Sequence, residues 1–464
     1  MAATKMAPNL SPNLSQALSP SYAADDCIGT PTPTPDSDPT PTPTPTPTPD
    51  SDSTSVGARA HIKRLCLRDF RNHAAADIDC DGRVVVITGV NGIGKTNLLE
   101  SVSMLSGGLG AGRGLRGATF EALVHTPEYN EAHNQEIYNQ ETCIGSWQVL
   151  ADIITDAIPS RLVVNYNAGQ NASRSVDRGG SQSGSQSGRR LTLDGDAVRG
   201  LEILNELTPQ LWLTPAMDRL FVDGASGRRK FLDRFAQSLR AASAKHWGQY
   251  ERAMRERNRL LQDSTGEQTS WLDSLEDMMA AQGVAIAAAR LHAFDVLAAG
   301  LLSTPQTPFP CADIALAGDL EAQLRTRPAI EVEDAFRETL RSMRGRDGAA
   351  GRALSGPHRS DLIVHLEGKN MPAAAASTGE QKGLLLGLLL AQAYAIVGET
   401  GKAPLLLLDE VAAHLDATRR QALAVLLADL GAQVWITGTD APIFEAMFGG
   451  VSGATNDLKH IELT

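Results

Sequence analysis

One stretch of eight residues limits the folds open to this chain more than any other. Residues 89–96 read Gly-Val-Asn-Gly-Ile-Gly-Lys-Thr and satisfy the pattern GxxxxGK[ST]. The β-branched, apolar run Val84-Val85-Val86-Ile87-Thr88 precedes this pattern, and a helical segment from Thr96 to about Ser106 follows it. Because a phosphate-binding loop joins a strand to a helix, this context favours a P-loop over a glycine turn with an accidental Lys-Thr.

The chemistry expected of this loop follows from its residue types. Its glycines allow successive backbone N–H groups to turn inward around phosphate oxygens. The Lys95 ammonium supplies a positive charge to the β- and γ-phosphates, and the Thr96 hydroxyl is suited to ligate Mg²⁺. We therefore expect ATP and Mg²⁺ as cofactors. The predicted ATP-binding residues of the loop are Gly89, Val90, Asn91, Gly92, Ile93, Gly94, Lys95 and Thr96.

A second element lies far along the chain, where the apolar run 405–408 ends in Asp409 and Glu410. A strand of this kind places its last side chains beside a P-loop. Asp409 is then the predicted Mg²⁺ ligand, and Glu410 the predicted general base that polarises an attacking water. An apolar strand followed by an acid is common by itself, but together with residues 89–96 it indicates an ATPase.

A third element is the segment Ser377-Thr378-Gly379-Glu380-Gln381-Lys382, which opens a long apolar helix. The Ser377 hydroxyl, the first N–H groups and the helix dipole would converge on an anion there. An ordinary helix N-cap, with Glu380 near the third position, explains the same residues. Since the chain already has one phosphate cradle, a second anion site makes most sense if it closes on a nucleotide held by another copy.

Strands and helices alternate at both ends of the chain, around a helical middle. This order predicts an α/β head assembled from two distant halves. Strands are expected at 147–154, 161–166, 362–366, 404–408 and 433–437, and helices at 380–398 and 418–430. The predicted domains are a disordered tail (1–57), the first half of the head (58–212, with a flexible insertion at 167–190), a smaller, mainly helical lobe (213–350) and the second half of the head (351–464).

Composition separates residues 1–57 from the rest. A Pro-Thr repeat runs through this stretch, and it contributes −5 to the net charge of −12. So little apolar surface cannot repay the entropy of ordering, and this predicts a disordered tail to which we assign no function.

Cysteine usage and hydropathy bear on the compartment. Five cysteines without a CxxC pair argue against a disulfide framework and favour a reducing cytoplasm. The longest apolar run, 383–398, is shorter than the roughly 18 residues of a membrane span, and we interpret it as a buried helix. The sequence thus predicts a cytoplasmic protein without a membrane partner.

Along the chain, the P-loop at 89–96 comes first, the serine-glycine segment at 377–382 second and the acidic strand end at 405–410 third. In this order and spacing, the three motifs resemble the ABC-type ATPase heads of SMC-like proteins. More narrowly, the chain resembles the RecF family of bacterial DNA replication and repair proteins over about residues 60–445. The match is carried by LCLRDFRNH (65–73), GVNGIGKTNLLE (89–100), LTPAMDRLFVDGASGRRKFLDRF (213–235), SGPHRSDL (355–362), STGEQK (377–382) and LLLLDEVAAHLD (405–416). The fold class implied is an ABC-type P-loop ATPase head, a mixed sheet with helices, plus a smaller helical lobe.

The resemblance also implies roles for single residues. Arg71 and Asn72 approach the nucleotide, and Thr437 stands where transporters usually have a switch histidine. Lys95, Ser377 and Glu410 form the catalytic set. The signature and D-loop residues that act across the dimer are Ser377, Thr378, Gly379, Glu380 and Asp416. Transporter subunits prefer glycine at the position of Thr378, and a helical middle of about 130 residues excludes the long coiled-coil arms of SMC proteins.

In function, the resemblance implies an ATP-driven homodimer that clamps duplex DNA near single-strand gaps and at gapped junctions. It implies work with RecR and RecO to promote RecA loading, in DNA replication, recombination, repair and the SOS response to DNA damage. The implied ATPase is slow, stimulated by DNA, and acts as a switch.

A basic segment offers a DNA contact in an otherwise acidic chain. Residues 228–259 contain ten basic and three acidic side chains, a local charge of +7. Such a patch can neutralise backbone phosphates without reading bases. A solvated helix face or internal ion pairs would give the same composition, and Arg228 and Arg229 could be structural or sense nucleotide. The candidate DNA-binding residues are Arg228, Arg229, Lys230, Arg252, Arg255 and Arg259.

Two other classes of protein remain as alternatives. The ATP-binding subunit of an ABC transporter would need a membrane partner and usually a switch histidine. A small-molecule P-loop kinase leaves residues 377–382 unexplained. Neither accounts for all three motifs together with the segments at 213–235 and 355–362.

Overall fold

The structure is a computed structural model, which describes residues 58–107, 114–126, 145–168, 189–198, 200, 202–263, 269–305, 307–369, 371–451 and 457–464. The predictions for the tail at 1–57 and for most of the insertion at 167–190 lie outside these residues. The strands are β1 Ala58–Phe70, β2 His73–Asp79, β3 Val84–Thr88, β4 Ser146–Thr155, β5 Ile158–Asn167, β6 Arg189–Leu193, β7 Asp196–Val198, β8 Gln210–Leu213, β9 Ala312–Ala317, β10 Asp361–Leu366, β11 Met371–Pro372, β12 Lys402–Ala403, β13 Leu405–Leu408, β14 Val434–Gly438 and β15 Leu458–Glu462. The helices are α1 Lys95–Ser103, α2 Glu202–Leu207, α3 Ala225–Leu239, α4 Ala244–Gln262, α5 Thr269–Ser303, α6 Asp319–Leu324, α7 Ala329–Ser342, α8 Arg344–Ala350, α9 Thr378–Thr400, α10 Ala417–Leu430 and α11 Ala441–Phe448.

A parallel sheet lies at the centre of the fold, with the strand order β15-β3-β14-β13-β8 among the described residues. Each neighbouring pair in this sheet is parallel. The inner strands β3, β13 and β14 are buried at every residue, because both faces of the sheet are covered. Strand β3 has the predicted bounds, and the strands predicted at 404–408 and 433–437 are confirmed to within one residue.

This sheet separates two hydrophobic clusters, and its strands contribute alternate residues to each. Val84 and Val86 of β3 belong to the cluster that contains the middle helices. Val85 and Ile87 belong to the cluster under the antiparallel sheet. Since successive side chains of a strand point to opposite faces, a continuous apolar run supplies both cores. This arrangement is the confirmed α/β architecture.

The second cluster is covered by a mainly antiparallel sheet, in the order β12-β1-β4-β5-β6-β7 with β2 beside β1. Strands β5 and β6 pair antiparallel, with Tyr166 opposite Arg189. The predicted insertion therefore begins and ends on two hairpin-paired strands. Strand β2 was not predicted from the sequence, because HAAADID has few of the large apolar residues that mark a strand.

The middle of the chain is mainly helical, as expected, although β9 was not predicted and pairs with β10. The guanidinium of Arg257 on α4 is fully buried and links several helices of this region. It donates to Glu276 on α5 at 2.9 Å and to Asp347 on α8 at 2.8 Å. It also donates to the carbonyl of Leu340 at the end of α7. Paired with two carboxylates and bonded to a carbonyl, this buried charge has its partners inside the fold.

Among the residues that the structure describes, two helices, α5 and α9, are long and apolar enough to cross a membrane by length and composition alone. Helix α9 has 67% of its most apolar stretch buried inside the protein, and α5 has 39%. Core helices pass the same test, so these two carry little weight as evidence for a membrane span. The interpretation of residues 383–398 as a buried helix is confirmed.

The topology brings the sequence motifs to one edge. Residues 89–96 follow β3, Asp409 follows β13, and β14 ends between them. In an open sheet of parallel strands, ligands bind outside the carboxyl ends of the strands. Segments separated by more than 300 residues of sequence therefore share one site.

Candidate functional site

The loop at residues 89–96 has the backbone that its glycines predict. Gly89, Gly92 and Gly94 all have positive φ, a region that residues with a side chain rarely adopt. A Cβ on Gly94 would lie 2.3 Å from the side-chain amide nitrogen of Asn72. The glycines thus allow the backbone of the loop to turn sharply, and Gly94 leaves room for the side chain of Asn72.

The Lys95 side chain is buried at the start of α1. Its ammonium donates to the carbonyls of Gly89 at 2.8 Å and Val90 at 3.1 Å. These bonds hold the charge under the loop, where phosphate oxygens would meet it.

Three side chains converge at the end of the parallel sheet. The Thr96 hydroxyl donates to Asp409 Oδ1 at 3.0 Å, and the Thr437 hydroxyl donates to the same oxygen at 2.8 Å. Burial raises the pKa of Asp409, while the two hydroxyl donors act in the opposite direction. The other carboxylate oxygen takes part in neither bond. Hydroxyl and carboxylate oxygens are the ligands that Mg²⁺ prefers, so this set suits the predicted metal.

Glu410 follows directly and has a left-handed backbone, with φ of 56°. This conformation costs a residue with a Cβ about 1–2 kcal/mol. The Glu410 N–H donates to the Thr437 hydroxyl at 2.9 Å, and this bond helps to hold the turn. The turn carries the predicted general base out of the sheet immediately after the predicted metal ligand. Strained turns of this kind cluster at active sites.

Arg71 and Asn72 brace the loop from the β1–β2 turn. Arg71 forms a two-pronged pair with Glu100 on α1, a carboxylate with 0% exposure, and donates to the carbonyl of Ala122. Asn72 donates to the carbonyl of Ile93 at 2.7 Å and accepts from Asn97. Both residues lie beside the loop, but their side chains are engaged by the protein itself. Direct contact with nucleotide stays a prediction for them.

Sequence reasoning missed a cation beside this loop. Arg116 donates to Asn97 on α1 at 2.9 Å and lies 3.7 Å from Glu100. Its side chain is 43% exposed, and its charge acts to lower the pKa of Asp409. The distance in sequence between Arg116 and the GxxxxGK[ST] pattern does not indicate this contact. The location of Arg116 depends on how the chain folds back against α1.

The C-terminal strand β15 was also missed, and it supports the loop from the outer edge of the sheet. His460 is hydrogen-bonded to the Thr88 hydroxyl at 2.7 Å, one residue before the loop. A Cβ on Gly89 would lie 2.7 Å from the carbonyl oxygen of Leu463. The loop therefore starts against strand β15 and the residue that follows it, Leu463.

The segment at 377–382 forms the N-terminus of α9. Ser377 is the N-cap of a capping box, in which its hydroxyl accepts from the Glu380 N–H and its own N–H donates to the Glu380 carboxylate. Lys369 bonds the same carboxylate and, with Ser377, lowers the pKa of Glu380 to about 2. A Cβ on Gly379 would meet nothing within 4 Å, so the first turn is open on that side. The helix-cap interpretation holds, and the predicted anion site would share this helix start.

The signature segment and the loop are separate within one chain. No hydrogen bond or ion pair joins residues 377–380 to residues 89–96 in the part of the chain that the structure describes. Asp416, the predicted D-loop acid, caps α10 by accepting from the Arg419 N–H at 2.8 Å. The contacts of Ser377, Thr378, Gly379, Glu380 and Asp416 with a second copy stay predictions.

This chain is similar to known proteins over most of its length. A family model described as "RecF/RecN/SMC N terminal domain" matches residues 61–460. The chain is 42% identical over 401 residues to "DNA replication and repair protein RecF" of Mesorhizobium japonicum, covering 86% of this chain and 97% of the relative. The chain belongs to the RecF family. A relative with the same description from Rhizobium rhizogenes is 43% identical over 390 residues, covering 84% of this chain and 95% of the relative.

Solved RecF structures have the same fold. One is described as "Structure of the recombination mediator protein RecF-ATPrS in RecFOR pathway"; it matches with a TM-score of 0.67 at 20% identity, over 84% of this chain and 95% of that one. Its counterpart described with ATP has a TM-score of 0.67 at 21% identity, over 83% and 94%. The predicted ABC-type head, shared by RecF and SMC proteins, is confirmed as the fold class.

In this RecF-family chain, two of the predicted DNA-binding arginines are engaged inside the protein. Arg228 forms a two-pronged pair with Asp361, with both bonds at 2.9 Å, and Arg229 donates to the carbonyl of Ser360. These contacts tie α3 to the segment at 355–362. These contacts fit the structural interpretation of Arg228 and Arg229, and their contact with DNA stays a prediction. Arg257, in the same basic segment, is fully buried.

The remaining basic residues of the segment lie mostly on one helix. Lys245, Arg252, Arg255 and Arg259 are exposed on α4, and we call them the basic stripe. Lys245, Arg252 and Arg259 recur every seven residues, which places them on one face about 10 Å apart. Among the described residues no acidic side chain pairs with these three, whereas Arg255 lies 3.6 Å from Glu251 in an exposed pair. Such a pair is weak and leaves the Arg255 charge available.

Arg352 extends the basic stripe beyond the end of α4. Gln262, the last residue of α4, donates to the carbonyl of Gly351, which brings the exposed Arg352 next to this helix end. Lys230 is exposed on α3, apart from the stripe. The seven-residue spacing was a signal for Lys245, but the contact with Gly351 could not be read from the sequence.

Proposed function

We propose that this RecF-family protein is an ATP-dependent switch that binds duplex DNA. The observation that carries the proposal is the convergence of Thr96, Asp409 and Thr437 beside the loop at 89–96. This arrangement joins a phosphate cradle, a metal-binding carboxylate and a general base on one sheet edge. The solved RecF structures described with ATP and ATPrS support ATP as the nucleotide.

The residues fit the predicted cofactors. Residues 89–96 and the Lys95 ammonium would hold the phosphates, and Thr96 with Asp409 would hold Mg²⁺. Bound Mg²⁺ would neutralise phosphate charge during hydrolysis. Groups of three or more His, Cys, Asp or Glu able to hold a metal by themselves do not occur in the described residues. A two-residue oxygen site fits Mg²⁺, which keeps water and phosphate oxygens among its ligands.

In the proposed hydrolysis, Lys95 orients the γ-phosphate and Glu410 accepts a proton from the attacking water. The open first turn of α9 from a second copy would cover the same γ-phosphate, with Ser377 and the helix N-terminus as donors. Two copies would then associate with ATP and separate after hydrolysis, since only the triphosphate presents this group to α9.

Duplex DNA is the proposed partner of the basic stripe. Its charges line one helix face without a buried counter-charge, which suits contact with backbone phosphates and not with base edges. Binding at gapped junctions, cooperation with RecR and RecO, RecA loading, DNA stimulation of hydrolysis and a cytoplasmic location rest on the family resemblance.

The loop is tested directly by Lys95→Ala. We expect the Kd for ATP to rise about 30-fold, because a charge-assisted contact of about 2 kcal/mol is lost. Equilibrium binding of a fluorescent ATP analogue measures this change. Lys63→Ala, which removes an exposed lysine on β1, serves as the matched control and should leave the Kd unchanged. Equal ATP affinity of the Lys95 variant and the wild type would contradict the assignment of the nucleotide site.

A further inference from the structure

Thr437 lies between the two halves of the proposed ATP site. It belongs to β14, the strand flanked by β3 and β13 in the parallel sheet. Thr437 pairs with Ile87, two residues before Gly89, and its neighbour Ile436 pairs with Leu408, one residue before Asp409. A side chain here can reach the groups that leave the sheet on either side.

The Thr437 hydroxyl bonds both the predicted metal ligand, Asp409, and the predicted general base, Glu410. It donates its proton to Asp409 Oδ1 at 2.8 Å and accepts the Glu410 N–H at 2.9 Å. Its side chain is fully buried, so water does not compete for these bonds. One hydroxyl therefore couples the orientation of Asp409 to the backbone of Glu410.

The backbone of Glu410 is where this coupling matters. A left-handed residue with a side chain persists only where its surroundings over-determine it. Without the hydroxyl, the Glu410 N–H loses its acceptor and Asp409 keeps Thr96 as its hydroxyl donor. The turn is then free to relax, and the Glu410 carboxylate moves with it.

We propose that Thr437 is a positioning residue for ATP hydrolysis, which holds Asp409 and Glu410 in their catalytic arrangement. The inference rests on the proposed function. It assigns a role to a residue for which the family resemblance gave only a position, that of the switch histidine of transporters. Thr437 acts through the two acids, and it is not itself the base or a metal ligand.

The test compares Thr437→Val with Thr437→Ser and with a matched control. Valine keeps the shape and removes the hydroxyl, whereas serine keeps the hydroxyl. Thr208→Val is the control, because Thr208 is also fully buried and its hydroxyl bonds the carbonyls of Leu105 and Leu204, in a place without site residues. The measurements are kcat and KM for ATP, the Mg²⁺ dependence of equilibrium binding of a fluorescent ATP analogue, and the Tm.

For Thr437→Val we expect kcat to fall about 30-fold with KM changed less than about threefold, because misplacement of a reacting group affects the transition state most. The Mg²⁺ concentration for half-maximal nucleotide binding should rise several-fold. Thr437→Ser should restore both quantities to near the wild-type values. Thr208→Val should lower the Tm while leaving kcat and the Mg²⁺ dependence unchanged.

If the wild type hydrolyses ATP and Thr437→Val has the same kcat and the same Mg²⁺ dependence, this inference is wrong. The proposed function would be unaffected by that result. An equal loss of kcat in Thr208→Val would also overturn this inference, since the effect would then follow from destabilisation. A wild-type chain that neither binds nor hydrolyses ATP would contradict the proposed function and this inference together.

Discussion

Glu410→Gln should slow ATP hydrolysis at least about 100-fold, the effect of removing a general base. The substitution keeps the size of the side chain and leaves the N–H bond to Thr437 in place. ATP binding and ATP-dependent dimerisation should survive, because the loop at 89–96 and α9 are untouched. Phosphate release measures the rate, and light scattering with ATP measures the dimer, which should persist longer than that of the wild type.

Glu445→Gln is a suitable control for this prediction. Glu445 is exposed on α11, and its substitution makes the same chemical change away from the sheet edge. Hydrolysis by the control should equal that of the wild type. If Glu410→Gln hydrolyses ATP at the wild-type rate, Glu410 is not the base, and the left-handed turn at this position needs another explanation.

Charge reversal of Lys245, Arg252 and Arg259 to Glu should weaken duplex binding about 100-fold or more at moderate salt. The slope of log K against log salt should fall by about 3, near 0.9 for each lost phosphate contact. The three side chains are exposed and unpaired with acids among the described residues, so the fold should tolerate the change. Fluorescence anisotropy with a labelled duplex at several salt concentrations measures both quantities.

An equal change of net charge elsewhere controls for long-range repulsion. Lys63, Arg325 and Arg327 are basic residues on other elements, and each forms an exposed ion pair of little stability. Their reversal to Glu should lower duplex affinity far less and leave the salt slope nearly unchanged. Equal losses in the two triple variants would show that binding follows total charge and that the basic stripe is not the contact.

Much of the fold could be predicted because its central strands carry an unambiguous pattern. The runs at 84–87 and 405–408 are apolar at every position, as a sheet covered on both faces requires. Strands β8 and β15 were not predicted, because neither has a long apolar run. The first has four residues, and the second alternates with polar side chains at the edge of the sheet.

The residues proposed for the ATP site could be selected from the sequence, since the P-loop pattern places backbone and side chains together. Its supporting contacts could not, because they join residues distant in sequence. Thr437 reaches Asp409 from 28 positions away, and Arg228 meets Asp361 across 133. A count of local charge does not detect such partners. In the basic segment at 228–259 the count includes Arg228 and Arg257, which pair with carboxylates inside the protein.

In the proposed dimer, each ATP lies between the loop of one copy and the α9 start of another. Mixing two inactive variants tests this arrangement. Lys95→Ala disables the loop, and Gly379→Asp places a negative charge at the open first turn of α9, where an acid suits the helix but repels phosphate. In a mixed dimer, one site combines both defects, and the other has an intact loop facing an intact helix.

The decisive measurement is the ATP hydrolysis rate of each variant alone and of their equimolar mixture. If the site is shared between copies, each variant is inactive by itself and the mixture recovers a substantial part of the wild-type rate. If the loop and α9 of one chain form the site, each copy in the mixture keeps its own defect. A mixture as inactive as its two components would show that the ATP site is not shared between copies.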